Sequence, residues 1–231
     1  MNRLLQYTIG IVFSICFMIV LLFTSVEAAV YWVPGYFEAE YSKYQVTDAV
    51  SMTMDDLLEV TDEMMLYLKG KRADLHVTTT MGGLEREFFN AREIAHMEDV
   101  RGLFLGGIAM RKGCLLIMAF CVILLYLLKT SFKKTFPRAV CAGSGLFFLL
   151  TAIVSFIIST DFNRYFILFH EMFFKNDLWM LDPSTDMLIN IVPEGFFSDT
   201  VFLIASFFFL SVLILISICL FVTHKYGKNA D

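Results

Sequence analysis

The sequence predicts an all-α integral membrane protein, in which a four-transmembrane-helix bundle carries a small α+β extracytoplasmic cap. Three observations predict this fold. Hydrophobic residues make up 58% of the 231 residues and charged residues only 18%, whereas soluble domains average about 45–50% and about 25%. The mean hydropathy is +0.68, and the apolar residues are concentrated in four runs of about the 20 residues that a bilayer requires. Two long segments between the runs have the mixed composition of folded chain.

The runs and the segments between them give the expected order of parts along the chain. The first run is expected to remain as an anchor, because it is longer than the roughly 7–15 apolar residues of a signal peptide and no clear A-x-A cleavage site follows. The expected parts are TM helix 1 at 1–26, cap segment 1 at 27–100, an interfacial approach and TM helix 2 at 103–128, a cytoplasmic loop at 129–138, TM helix 3 at 139–159, cap segment 2 at 160–199, TM helix 4 at 200–222 and a cytoplasmic tail at 223–231.

Basic residues predict the orientation, since short cytoplasmic loops are enriched in Lys and Arg. The 129–138 loop has four basic residues and no acid, whereas 160–199 has two basic residues and seven acids. Both termini and the loop are therefore expected in the cytoplasm and both cap segments outside. Arg111 and Lys112 then lie at the outer interface, against the usual bias. They either snorkel to the surface or hold an anionic group.

Both cap segments are predicted to fold, and each is too small to bury a core alone, so we expect them to pack together. The prediction rests on helical spacing of apolar residues, on alternation around a Gly-Gly pair and on a capping box. The predicted elements are a helix at Thr47–Lys69, a hairpin around Gly82-Gly83, a helix that starts at Asn90 with Glu93 in the capping position, and helices at Phe162–Lys175 and Ser184–Ile191.

Composition and motifs exclude several classes of site. The net charge of −5 gives no reason to expect nucleic acid as a partner. All five cysteines lie in the apolar runs, so neither a disulfide framework nor an exported thiol is expected. No P-loop, G-x-G-x-x-G, G-x-S-x-G or H-E-x-x-H is present, and Gly143-Ser144-Gly145 lies in the third run, where small residues serve helix contacts. The histidines remain as candidates.

Two of the four histidines are expected to carry chemistry. His96 and His170 each lie on a predicted helix close to the outer membrane surface, among apolar and aromatic neighbours. Imidazole titrates near neutral pH and suits acid–base chemistry. One such histidine is more often structural, but two segments that each bring one to the same depth favour a shared site. His76 is expected on a surface strand and His224 on the cytoplasmic side.

The neighbours of these two histidines allow two interpretations each. Asp99 lies one helical turn after the first histidine, where it either orients the imidazole or is simply an exposed carboxylate. The aromatic residues around His170 form either an interfacial belt or the wall of a water-poor pocket for acyl chains. They are Phe162, Tyr165, Phe166, Phe169, Phe173, Phe174 and Trp179. Exclusion of water would favour acyl transfer over hydrolysis.

Three stretches resemble the lipoprotein intramolecular transacylase (Lit) family. They are Glu93–Arg101, Phe169–Trp179 and Asp182–Phe197, and the early Tyr36–Tyr44 stretch and the four-span layout fit as well. The resemblance covers nearly the whole chain, and two of its blocks contain the two histidines named above. It implies a bacterial cell-membrane enzyme with four spanning helices and an extracytoplasmic cap, with its active site facing outside.

The activity implied by this resemblance is intramolecular acyl transfer. An acyl chain would move from the sn-2 position of the diacylglyceryl group of a lipoprotein to the α-amino group of its N-terminal cysteine, giving the lyso-form lipoprotein. The resemblance implies His96 and His170 as catalytic residues, no metal or cofactor, and a diacylated lipoprotein and membrane lipid as partners. Supporting or substrate-binding roles are expected for Asp99, Phe169, Phe173, Asn176 and Trp179.

An amine is largely protonated near neutral pH, its reference pKa being about 7.7–8.0, so the reaction needs a base as well as an acid for the departing oxygen. We expect His170 to be the base, because its setting is more apolar. His96, with Asp99 stabilising its charged form, would stabilise the transition state and protonate the departing oxygen, although the roles are exchangeable.

Two other functions remain open at this point. A zinc-dependent membrane lipid hydrolase could use both histidines and Asp99 as ligands. A non-enzymatic assembly or transport protein is the other, and it is weakened because the middles of the four runs offer almost no polar residues.

Overall fold

A computed structural model describes residues 3–128 and 135–227 of the chain. The described residues form two compact units. The first unit contains the described residues within 1–32, 108–160 and 202–231, and the second contains Val33–Gly107 and Asp161–Val201. The two expected cap segments fall almost entirely in the second unit, which confirms that they pack together.

The described chain contains nine α-helices, one π-helical segment and two strands. The helices are α1 (Arg3–Glu27, continued as a π-helix at Ala28–Trp32), α2 (Tyr36–Lys43), α3 (Val46–Val50), α4 (Met54–Leu68), α5 (Ala91–Leu127), α6 (Thr135–Thr160), α7 (Phe162–Phe173), α8 (Met187–Ile191) and α9 (Glu194–Gly227), and the strands are β1 (Thr78–Met81) and β2 (Leu84–Glu87).

Four helices among the described residues are long and apolar enough to cross a membrane, so the chain is the integral membrane protein that its sequence predicts. With 37 and 34 residues, α5 and α9 are about 50 Å long, more than the roughly 30 Å of hydrocarbon in a bilayer. We therefore assign as membrane-spanning only the parts of the four helices that lie in the first unit. Residues 91–107 and 194–201 belong to the second unit and lie outside the spanning segments.

Small residues set the distance between α1 and α6 in the first unit. A Cβ atom added at Gly10 would lie 2.5 Å from the Cβ of Ala139, and one added at Gly143 would lie 2.6 Å from Ser14 Oγ. The hydroxyl oxygens of Ser14 and Ser144 are 3.2 Å apart. Close approach of this kind is how membrane helices gain packing and polar contact without a hydrophobic driving force.

The first unit also shows which anionic group lies beside Arg111. The Arg111 guanidinium donates to Glu27 at the end of α1, and both side chains are less than one-third exposed. The neighbouring Lys112 is exposed. The anionic group held by Arg111 is therefore a carboxylate of the protein itself.

The helix expected over Thr47–Lys69 is interrupted in the structure. Ser51 adopts a left-handed backbone conformation with φ 55° and ends α3. The Thr53 hydroxyl then accepts from the Asp56 amide and caps the new helix α4. The expectation of one continuous helix is thus wrong, because a Thr N-cap restarts the helix.

The predicted hairpin is present. Strands β1 and β2 pair antiparallel, with Thr79 opposite Arg86 and Met81 opposite Leu84. Gly82 and Gly83 have φ values of 59° and 80°, and two consecutive positive φ angles are what a tight two-residue turn requires.

The second cap segment contains α7 and α8. The helix expected over Phe162–Lys175 ends two residues earlier, at Phe173, and the one expected over Ser184–Ile191 begins only at Met187. Asp182 forms a turn instead, in which its carboxylate accepts from the amide and the hydroxyl of Ser184. Most of the expected 129–138 loop and the end of the expected tail lie outside the described residues, and Arg138 lies within α6.

Candidate active site

The first turn of α5 is a reciprocal capping box, as the sequence predicts. Asn90 Oδ1 accepts from the amides of Arg92 and Glu93 at 2.9 and 3.0 Å, and Glu93 Oε2 accepts from the Asn90 amide at 2.7 Å. These bonds satisfy amides that would otherwise lack a partner at the helix start. His96 follows one turn later and is only 6% exposed.

The second histidine lies on α7, which is capped by Asp161 through its bond to the Arg164 amide. His170 is only 7% exposed. Its Nδ1 lies 2.7 Å from the carbonyl oxygen of Phe166. A carbonyl can only accept, so Nδ1 carries the proton and the lone pair of the neutral ring lies on Nε2.

The structure brings the two histidines together within the second unit. The ring centroids of His96 and His170 are 6.1 Å apart, with the ring planes at 36°. The ring of Phe174 contacts both imidazoles, with centroid distances of 5.3 Å to His96 and 5.5 Å to His170. Two segments that are far apart in the sequence therefore form one imidazole pair with an apolar side.

Burial lowers the pKa of both imidazoles. The pKa of His96, which precedes the spanning part of α5, falls to about 4, chiefly through burial and next through the neighbouring His170. Burial also lowers the pKa of His170. The hydrogen bond to the Phe166 carbonyl raises that pKa and partly offsets the effect of burial. Charged forms are disfavoured in such surroundings, so both rings are neutral near neutral pH.

Asp99 is engaged by a residue other than the imidazole. Its Oδ2 accepts from Asn176 Nδ2 at 2.8 Å, and the negative charge of Asp99 only partly offsets the burial that lowers the pKa of His96. Within the described part of the chain, the buried Nδ1 of His96 has no hydrogen-bond partner. The interpretation in which Asp99 orients the imidazole through a hydrogen bond thus has no counterpart in this geometry.

The aromatic residues near His170 differ in what they contact. Trp179 and Phe169 lie 5.0 and 5.4 Å from its ring. Phe173 packs on Phe169 at 4.7 Å, and about half of each of these two phenylalanine side chains is exposed. Trp179 and Phe169 therefore enclose the imidazole, while Phe169 and Phe173 present an apolar surface.

The other two histidines lie elsewhere. His76 Nδ1 is 2.7 Å from a carboxylate oxygen of Glu87 across the hairpin, and two-thirds of its side chain is exposed. His224 is exposed near the end of α9.

The sequence places Phe166 and Phe174 only in the aromatic group around His170, and Glu93 only in a capping box. The Phe166 ring lies 4.2 Å from the His170 ring, but the bond between its carbonyl group and His170 Nδ1 is one that no side-chain pattern reveals. The contact of Phe174 with both rings depends on how two distant segments pack. The capping box does single out Glu93, but it gives no sign that the side chain is completely buried.

The zinc hydrolase alternative required three ligands from His96, His170 and Asp99. In the part of the chain that the structure describes, no three His, Cys, Asp or Glu side chains are grouped so that they could hold a metal ion.

Comparisons with known proteins identify the family and the fold of the chain. The family model described as lipoprotein intramolecular transacylase Lit matches residues 11–197. A solved structure of the transacylase Lit from Bacillus cereus superposes with a TM-score of 0.79 at 20% identity, covering 98% of this chain and 100% of that chain. Two structures of variants of that protein, with one histidine replaced by arginine or by alanine, both give TM-scores of 0.76. Their identities are 21% and 22%, and they cover 97% of this chain and 95% and 96% of theirs. No curated protein sequence matches the chain.

Proposed function

Because this chain belongs to the lipoprotein intramolecular transacylase family, we propose that it moves the sn-2 acyl chain of a diacylglyceryl lipoprotein to the α-amino group of the same molecule. The chain is a membrane-integral acyltransferase that acts on a lipoprotein. The observation that supports transfer from the sn-2 ester to the amine is the pair of buried neutral imidazoles whose centroids are 6.1 Å apart.

We assign the base to His170. Its Nδ1 proton is held by the Phe166 carbonyl, which leaves Nε2 free to accept a proton. The neutral amine, which has lost the proton of its ammonium form to solvent, attacks the sn-2 carbonyl carbon while Nε2 takes a proton from its nitrogen, so that an N–C bond forms. The glyceryl C–O bond then breaks and the imidazolium gives that proton to the departing glyceryl oxygen, so neutral amine and ester become amide and alcohol with no further proton exchanged.

We assign to His96 the role of a neutral N–H donor that stabilises the oxyanion as it develops on the sn-2 carbonyl oxygen. Donors aimed at charge that develops in the transition state act strongly in a water-poor site. This keeps the expected transition-state role of His96 but not its expected role as acid, because a pKa of about 4 leaves almost no charged His96 at neutral pH. Exchange of the two roles remains compatible with the same pair of neutral rings.

The apolar wall of the site supports transfer over hydrolysis. Trp179, Phe174 and Phe169 contact the imidazoles, and water that cannot reach the ester cannot compete with the amine. The amine and the ester belong to one substrate molecule, so holding them together replaces a bimolecular encounter by a unimolecular step.

The proposed location follows from the basic residues. The 129–138 loop has four basic residues and no acid, which supports cytoplasmic termini and an active site that faces outside. A lipoprotein anchored in the outer leaflet would then present its ester on the side where the imidazole pair lies.

Mass spectrometry of a defined diacylated lipopeptide tests this function. After incubation with the purified protein we expect an isomer of unchanged mass, whose fragments carry the acyl chain on the N-terminal amine. Release of free fatty acid with loss of the chain mass would instead indicate a hydrolase. Metal analysis of the same preparation separates a zinc enzyme from the proposed mechanism.

A further inference from the structure

The carboxylate of Glu93 joins two helix starts. Its side chain is 0% exposed. Oε2 accepts from the amide of Asn90, and Oε1 accepts at 2.5 Å from the amide of Leu188 in the first turn of α8. Amides at helix N-termini lack partners within their own helix and favour negative charge. One side chain thereby satisfies amides of two segments that are 95 residues apart along the chain.

A second set of bonds runs beside this bridge. Asn90 Nδ2 donates to Asp186 Oδ1 at 2.7 Å, and Asp186 Oδ2 accepts from the amide of Asp182 at the same distance. The turn at Asp182 follows Trp179 by three residues, and the Trp179 ring stacks on His170 at 5.0 Å. The Glu93 and Asn90 bonds thus connect the helix that carries His96 with the segment that encloses His170.

Capping alone does not require a buried acid at this position. Asn90 already caps α5 through its own bonds to the amides of Arg92 and Glu93. The bond to Leu188 adds nothing to the capping of α5, and its effect is to fix α5 relative to α8. The side chain of His96 projects from the same helix face, three residues after Glu93.

We propose that Glu93 is a positioning residue, which holds His96 at the correct place relative to His170 by bonding α5 to α8. This inference rests on the proposed function of the two imidazoles. Glu93 itself takes no part in proton transfer. Catalytic geometry is sensitive to such support, because a displacement of about 1 Å can cost about 10²-fold in rate.

Steady-state kinetics of the full-length enzyme test the proposal. Parental protein, Glu93→Gln and Glu93→Ala are compared on the diacylated lipopeptide, with Glu98→Gln as a matched control, because Glu98 is exposed on the same helix. The glutamine keeps one acceptor oxygen but places an NH₂ group against the other amide. We expect kcat to fall about 10-fold for Gln and about 10²-fold for Ala, with KM within about threefold of the parental value. The control should stay within about twofold.

A second variant separates positioning from folding. Asn90→Ser keeps a capping oxygen but lacks the Nδ2 donor to Asp186, so kcat should fall with KM unchanged. Parental kcat per folded molecule in Glu93→Gln overturns the proposal, with folding measured by thermal unfolding. If that variant does not accumulate, Glu93→Asp takes its place, because its shorter side chain cannot bond both amides, and parental kcat per folded molecule in it overturns the proposal. A parental enzyme that leaves the lipopeptide unconverted refutes the proposed function itself and the inference with it.

Discussion

Asn176 donates a hydrogen bond from Nδ2 to Asp99 Oδ2 at 2.8 Å. Asp99 lies on α5, one turn after His96, and Asn176 lies just after α7, which carries His170. The Oδ1 atom of Asn176 also accepts from the amide of Leu178. The pair therefore joins the two histidine-bearing segments directly, whereas the Glu93 bond joins α5 to α8.

The donor and the acceptor of this bond can be exchanged by substitution, which gives a first prediction. In Asn176→Asp, two carboxylates face each other, so we expect kcat to fall about 10-fold or more. In the double variant Asp99→Asn with Asn176→Asp, the new asparagine donates to the new aspartate, and the aspartate still accepts from Leu178. Kinetics on the lipopeptide should show most of the activity restored. Glu171→Gln, an exposed change on α7, should have no effect, and a double variant as inactive as the single one would contradict this account.

The two paired histidines should be essential, while the other two should not. General acid–base groups typically contribute about 10²–10⁴-fold each, so His96→Ala and His170→Ala should each reduce conversion by at least about 10²-fold. His76→Ala and His224→Ala should stay within a few-fold of parental conversion, because both residues lie away from the imidazole pair. Near-parental conversion by folded His96→Ala and His170→Ala would show that the assignment is wrong.

The pH profile should reflect the buried rings. A base must be neutral to accept a proton, and burial lowers the pKa of His170 from its usual 6.5. As pH falls, protonation of the substrate amine lowers kcat first, around its reference pKa of about 7.7–8.0, and protonation of the base adds a second decline that begins only below 6.5. Phe174→Ala exposes both rings to water, so the midpoint of this second decline should move upward towards 6.5. A parental midpoint of the second decline at or above 6.5 would contradict the lowered pKa of His170.

The small residues between α1 and α6 give a stability prediction with a built-in control. In Gly143→Ala the new Cβ would lie 2.6 Å from Ser14 Oγ, whereas in Gly145→Ala it meets nothing within 4 Å. Overpacking typically costs about 1–3 kcal/mol. Thermal unfolding in detergent should therefore show a lower Tm for Gly143→Ala. Gly145→Ala should match the parental Tm or exceed it slightly, since Ala is the better helix former.

The parts of the fold set by local patterns were predictable from the sequence. The apolar runs predict the membrane helices, Gly82-Gly83 predicts the hairpin, and Asn90 with Glu93 predicts the start of α5. The break at Ser51 was missed, because helical spacing continues across a residue that adopts an unusual backbone conformation.

The site was predictable only in part. That His96 and His170 meet followed from two separate segments that each supply one histidine at a similar depth. The partner of Asp99 did not follow, because a carboxylate one turn from an imidazole can turn towards either neighbour, and Asn176 lies 77 residues away along the chain. Contacts between distant segments decide the protonation states, and single-segment patterns do not contain them.

The distance along the chain between Glu93 and Leu188 has a consequence for biosynthesis. A nascent chain that has been made only as far as α6 has His96 but neither His170 nor the amide that Glu93 bonds in α8. The active centre therefore forms late, once α7 and α8 have been synthesised and have folded against α5. Contacts between such distant residues also form slowly, because closing a long loop costs chain entropy before any contact is gained. A truncated or stalled product thus enters the membrane without the imidazole pair.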